Sequence, residues 1–356
     1  MPRNASKPRA VTTSRRWQQG ELAQLLQARM PELSDLRRAQ DAIDNAGRNQ
    51  RYLKHGTSLA ELRGADFGKT DRAIVIAAGP SMHRASPFPA LTTANYDGAV
   101  IATDSAILRC LRHGIVPDLV VTMDPHDASI VRWFGDPELD ARALEDDYFR
   151  RQDMDNLFHD EVRTNRELLD LLGRHGPKMR IALSTSAGEK VVRRAIDCGM
   201  QIYWFNPMID NPDLPQSRSR RLYETNGLPL VNCGGNVGTA CWMIADAVLR
   251  RSHVAVAGMD LSYYADTPYL NTQYYRVMLE LVGEEGLGAL FVRIHNPHLD
   301  QWFYTDPAYL WFRDVFLELA RDADCITYNC TGGGILFGEP VRFMTVAEFI
   351  EASRPH

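Results

Sequence analysis

The stretch AIVIAAGPSMHR, residues 73–84, decides the fold. Its opening run is apolar and rich in Ile and Val, the length of a buried strand and too short for a helix. Gly79-Pro80 then stops the run and Ser81 begins a polar turn. Working outward, the same grammar repeats. GAVIAT (98–103) reads as a strand, DSAILRCLRHG (104–114) as a short helix ended by glycine, and DLVVTM (118–123) as the next strand. KMRIALS (178–184) and QIYWFN (201–206) flank the helix AGEKVVRRAIDCG, and NVGTACWMIADAVLRR (236–251) is an apolar helix before the strand HVAVAGM (253–259). PAYLWFRDVFLELARDAD is a helix leading to a last strand, CITYN (325–329). Strands alternating with helices imply a mostly parallel sheet covered on both faces. The expected fold is therefore α/β: a Rossmann-like, mostly parallel sheet with helices on both faces and a helical N-terminal cap.

The domain plan follows from the flanks. Residues 1–20 read as a disordered basic leader, with Arg3, Lys7, Arg9, Arg15 and Arg16 ahead of the first acid, Glu21. The leader lacks the apolar core of a secretory signal. Residues 21–70 form a helical N-terminal segment, 71–340 the main domain with a charged helical insertion at 135–175, and 341–356 a C-terminal helix. Over 356 residues the apolar content is 45%, the charged content 24% and the net charge −5, values of an ordinary globular chain with no basic stripe for nucleic acid. No run reaches the length a membrane helix requires. The six cysteines show no CxxC and no zinc-like pairing with histidine, so they read as buried, reduced thiols of a cytoplasmic protein.

In an open α/β sheet, ligands bind beyond the carboxyl ends of the strands. The polar residues that follow each strand are therefore the candidates. They are Gly79, Pro80 and Ser81 after the first strand, Asp104 with Ser105 after the second, and Asp124 with His126 after the third. Asp260 and Ser262 follow the strand at 253–259, and Thr331 and Gly332 follow the last. Asn232, Gly234, Gly235, Asn236, Gly238 and Thr239 make a small-residue loop that opens a helix. Glycines let backbone N–H groups approach a phosphate, and a helix N-terminus favours negative charge. Singly, each of these residues is also what a turn or a helix cap requires. Five polar strand ends together point to a nucleotide-type site, with Asp104, Asp124 and His126 as its acid, base or catalytic groups.

Other motifs read as ordinary structure. GADFGKT (64–70) has one residue too few between its glycines for a P-loop and precedes its strand instead of following it. Asp153 and Asp155 match a DxD pattern inside a charged, solvated stretch. His295 and His298 lack a third ligand, and the aromatics of QWFYTDPAYLWF (301–312) read as core and lid packing.

The ordered set IAAGPSM, ATDSAI, PDLVVTMD, GGNVGTACWMIADA, VAGMDLSY and YNCTGGGILFG resembles the MptE-like domain, the family that includes the Maf motility accessory factors. The resemblance covers roughly residues 70–340. It implies a core similar to that of the CMP-sugar sialyltransferases, with Gly79, Pro80 and Ser81 on the donor phosphate. Asp104 and Asp124 would line the cleft, and Asn236, Gly238 and Thr239 would form its other wall. One position departs: Ala78 stands where those sialyltransferases typically carry a glycine preceded by asparagine.

Three activities follow from the resemblance. The first expectation is a glycosyltransferase using a CMP-activated nonulosonic sugar in glycan or flagellin modification, with no cofactor. An alternative is a 6-hydroxymethylpterin pyrophosphokinase, with ATP as donor and Mg²⁺ on Asp104 and Asp124. A further alternative is a non-catalytic nucleotide- or glycan-binding protein. The partners expected are a nucleotide donor and a small-molecule, glycan or protein acceptor.

Overall fold

The computed structural model describes residues 21–126, 131–139 and 161–352. The leader 1–20, the Asp153/Asp155 motif and most of the insertion lie outside them. The main sheet contains β1 (Gly56–Ser58), β2 (Arg72–Ile76), β3 (Ala99–Thr103), β4 (Leu119–Thr122) and β5 (Arg180–Ser184). It continues with β6 (Gln201–Pro207), β7 (Leu230–Val231), β8 (His253–Ala257), β12 (Ile326–Asn329) and β13 (Arg342–Phe343). Its order is β1-β6-β5-β4-β3-β2-β8-β12-β13, with β7 on β6, and every pair is parallel.

Both faces are buried, which explains the unbroken apolar runs. On β2, Val75 joins a core with Trp242 and Phe316, while Ile74 and Ile76 pack on the other face with Phe88 and Phe349. Seven strands stand where the apolar runs place them. The short strands β1, β7 and β13, of two or three residues, escape sequence reading because a period needs more length.

A second, antiparallel sheet was not anticipated: β9 (Tyr263–Tyr264), β10 (Val292–Asn296) and β11 (Gln301–Thr305), in the order β10-β11-β9. Part of the aromatic stretch 301–312 is thus a strand, followed by a helix, Pro307–Arg321, capped by Asp306. His295 and His298 lie in or beside the β10–β11 turn, where His295 meets Asp300 at 3.0 Å and His298 stacks on Phe343.

The N-terminal helix α1 (Glu21–Asn49) ends well inside the segment 21–70 that reads as helical. The chain then tightens into a 3-10 turn and enters β1 at Gly56, where a Cβ would run into Ile202 of β6. α1 is tied to the strand ends by two buried amides. Asn45 Nδ2 donates to the carbonyls of Pro125 (3.1 Å) and Ser186 (3.0 Å), and Asn49 Nδ2 to those of Thr185 (2.9 Å) and Ala187 (2.7 Å). The six cysteines are buried and unpaired. Among the described residues no helix is long and apolar enough to cross a membrane.

The topology locates the site. From β2 the chain steps outward through β3, β4, β5 and β6, then returns to lay β8 on the other side of β2. Between β2 and β8 the direction of winding reverses, and the loops leaving their carboxyl ends diverge to leave a crevice.

Candidate functional site

A cleft of about 850 Å³ opens there, lined from the ends of β2, β3, β4 and β8 on one side and from residues 232–238, 261–274 and 309–315 on the other. Ala39 and Ala42 of α1 complete its edge.

The β2/β8 corner is a stitch. The Gly79 N–H donates to the Gly258 carbonyl at 2.8 Å, extending the ladder past the strand ends. Ser81 donates twice to one carboxylate, its N–H to Asp260 Oδ1 at 2.9 Å and its hydroxyl to Oδ2 at 2.8 Å. A Cβ on Gly79 would run into that carboxylate and the Gly258 carbonyl, so this approach needs glycine. Ser81 is fully buried behind the cleft lining, and its hydroxyl serves Asp260; Gly79 and Pro80 face the cleft. Burial pushes the Asp260 carboxyl up to about 7, against the pull of the two Ser81 bonds.

Asp104 and Asp124 both line the cleft. Asp104 accepts from the Thr122 hydroxyl at 2.7 Å and from the Ser105 N–H at 2.7 Å. Burial raises its carboxyl to about 6, and the negative charge of Asp124 adds to that rise. Asp124 is half-buried and accepts the His126 N–H at 2.8 Å. His126 itself is exposed and lies off the cleft lining.

On the facing side, Asn232, Gly234, Gly235, Asn236 and Gly238 line the cleft. Asn236 caps the helix Val237–Met243, its Oδ1 accepting the Thr239 N–H at 2.9 Å; Thr239 is buried beneath. Gly235 has φ +81°, and a Cβ there would collide with the rings of Trp311 and Phe312. Thr331 and Gly332 stand behind the lining, where the Thr331 hydroxyl accepts the Met259 N–H at 3.2 Å. Asp260 and Ser262 both face the cleft.

Two further groups line the cleft. Of these the sequence marks His83 as a candidate acid or base, Tyr263 as a strand-end residue and the aromatics of 301–312 as lid packing, but not Arg84, Arg109, Tyr264 or Tyr274. His83, Arg84 and Arg109 form a basic rim: Arg109 bonds to the His83 ring, while Arg84 pairs with Asp266 at 2.9 Å and lies over the Tyr264 ring at 3.8 Å. The available signal was position, since Arg84 and Arg109 follow Ser81 and Asp104 within a turn or two. The second group is an aromatic wall of Tyr263, Tyr264, Tyr274, Tyr309, Trp311 and Phe312. Tyr263 stacks on Tyr309 at 5.3 Å and donates to the buried Asp306 at 2.9 Å, which locks the wall to the head of the helix 307–321. Residues so far apart in sequence are brought together by the second sheet, which no local pattern announced.

Chemically, the arrangement offers Asp104 and Asp124, a basic rim and a glycine-framed corner at one end, and flat apolar surface at the other. That set suits a polyphosphate beside a second substrate.

Comparison with known proteins found two likenesses. Residues 44–139 match the family model described as 6-hydroxymethylpterin diphosphokinase MptE-like. That segment carries the Gly79–Ser81 corner, Asp104 and Asp124. No curated protein sequence matches the chain. Among solved structures, the chain is similar to a MAf glycosyltransferase from Magnetospirillum magneticum AMB-1, with 13% identity and a TM-score of 0.49. The alignment covers 84% of this chain and 40% of that one.

Proposed function

We propose that the chain is a nucleotide-dependent transferase that moves a diphosphoryl group from ATP to the hydroxyl of a 6-hydroxymethylpterin-type acceptor. One observation carries this reading: the segment that matches the diphosphokinase family supplies the Gly79–Ser81 half of the strand-end corner together with Asp104 and Asp124. It favours the diphosphokinase reading over the CMP-sugar transferase expected first.

In this reaction the acceptor oxygen attacks the β-phosphorus of ATP, the bond from that phosphorus to the α-phosphate oxygen breaks, and AMP leaves. The acceptor proton must go to a base. Asp124, half-open to the cleft, takes that proton or orients the hydroxyl, while Asp104, fixed by Thr122 and Ser105, keeps the local charge in place. Arg84, Arg109 and His83 offset the charge on the phosphates. The oxygen-only donors Asp104 and Asp124, whose mutual repulsion a cation relieves, are the residues that would hold Mg²⁺, which when bound would offset the negative charge of the phosphates.

Calorimetric titration with ATP and CMP, each with and without Mg²⁺, tests the reading. The expected result is Mg²⁺-dependent ATP binding, with AMP released when 6-hydroxymethylpterin is added. Tight, metal-independent CMP binding would replace this reading with a sugar transferase. Binding of no nucleotide would leave a non-catalytic role.

A further inference from the structure

Among the described residues, one buried side-chain polar atom on the cleft wall has no hydrogen-bond partner: the hydroxyl of Ser262. The residue is 1% exposed, at the bottom of the cleft lining. Its neighbours in the wall are all provided for. Asp260 holds Ser81, Tyr263 holds Asp306, and Tyr309 bonds to Gln273. A buried hydroxyl left unpaired is unfavourable, and this is the one such atom among the described residues that belongs to the cleft lining.

The backbone spends strain to put it there. Leu261, a bulky residue, adopts the left-handed region at φ +50°, a conformation that side chains of its kind avoid. The Thr305 hydroxyl holds the Leu261 carbonyl at 2.8 Å and so keeps the bend. On one side of the bend Asp260 turns back to Ser81; on the other, Ser262 belongs to the cleft lining between the strand-end corner and the aromatic wall.

We infer that Ser262 is a positioning residue for the second substrate, its hydroxyl reserved for an uncharged hydrogen-bonding group carried on a ring that lies against the aromatic wall. The chemistry around it selects that class. The flanking side chains are Tyr263 and Tyr264, with Arg84 lying over the Tyr264 ring and held by Asp266, so the hydroxyl sits among ring surface that suits a neutral polar edge with an apolar face. The inference rests on the transferase reading above, but the acceptor ring can be a heteroaromatic bicycle or a sugar.

The test compares wild type with Ser262→Ala by calorimetry, using three probes: Mg²⁺ with α,β-methylene-ATP, 6-hydroxymethylpterin, and a β-galactoside. For whichever acceptor probe wild type binds, Ser262→Ala loses about tenfold in affinity. It keeps its nucleotide affinity within about twofold and melts at the same temperature as wild type or higher, since it no longer buries an unpaired hydroxyl. Unchanged acceptor affinity, an equal loss for nucleotide and acceptor, or a lowered melting temperature would each overturn the inference. Wild type binding the galactoside and not the pterin would end the diphosphokinase reading, while the variant still decides the role of Ser262. Wild type binding nucleotide but neither acceptor probe would overturn the inference alone.

Discussion

The two sides of the cleft are built on opposite principles. At the strand-end corner every buried polar group named above has its partner: Ser81 with Asp260, and Asp104 with Thr122 and Ser105. On the aromatic wall the rings lock one another, yet Ser262 stands unsatisfied. The difference teaches where each side's free energy resides. The corner is a finished frame that exists without a substrate, whereas the wall holds back one interaction until something binds.

The comparison breaks first at Asp260. Asp260→Ala strands two buried Ser81 donors at once and is expected to cost about 2–5 kcal/mol, read from denaturant unfolding. A variant as stable as wild type would mean the corner is not a frame. Next comes a contact within the facing side, between the glycine loop and the aromatic wall. Gly235→Ala pushes a methyl into Trp311 and Phe312 at a backbone φ that favours glycine, and should cost about 1–3 kcal/mol in the same measurement. Little change would show that the wall yields, contrary to the locked rings described.

The smallest effect sharpens the electrostatics of the corner. Asp104 is expected to titrate at about 6, chiefly through burial, with Asp124 adding to the rise. Asp124→Asn removes that neighbouring negative charge, so the carboxyl midpoint of Asp104, followed by carbon-13 NMR, should move down. A midpoint that stays put would leave burial as its only cause.

Legibility in the sequence divides along the same line. The corner was readable because β2, β3, β4 and β8 are continuous apolar runs, and a parallel sheet places whatever follows such runs at one edge. Thus Gly79, Asp104, Asp124 and Asp260 could be named as neighbours before any coordinate. The strand order, and with it the reversal between β2 and β8, is not written in local pattern.

Nor are side-chain directions. Ser81 follows a strand like the others yet faces Asp260, while Thr331 supports Met259 from behind the lining. The wall was illegible because its strands are short or half-exposed. Tyr263–Tyr264 is two residues long, and Gln301 and Trp302 of β11 face solvent, so no alternation marks them. Its rings therefore read as generic packing.

The stitch between Ser81 and Asp260 joins residues 179 apart in the chain. Contacts that close so long a loop carry a large entropic charge until both partners are already held in place, so they form late. The first half of the sheet, from β2 to β6, can collapse as the chain grows, but its strand-end corner stays open until β8 has been laid against β2. The position of the site thus ties it to both halves of the chain: a chain halted before β8 would own Asp104 and Asp124 without the corner that completes their cleft.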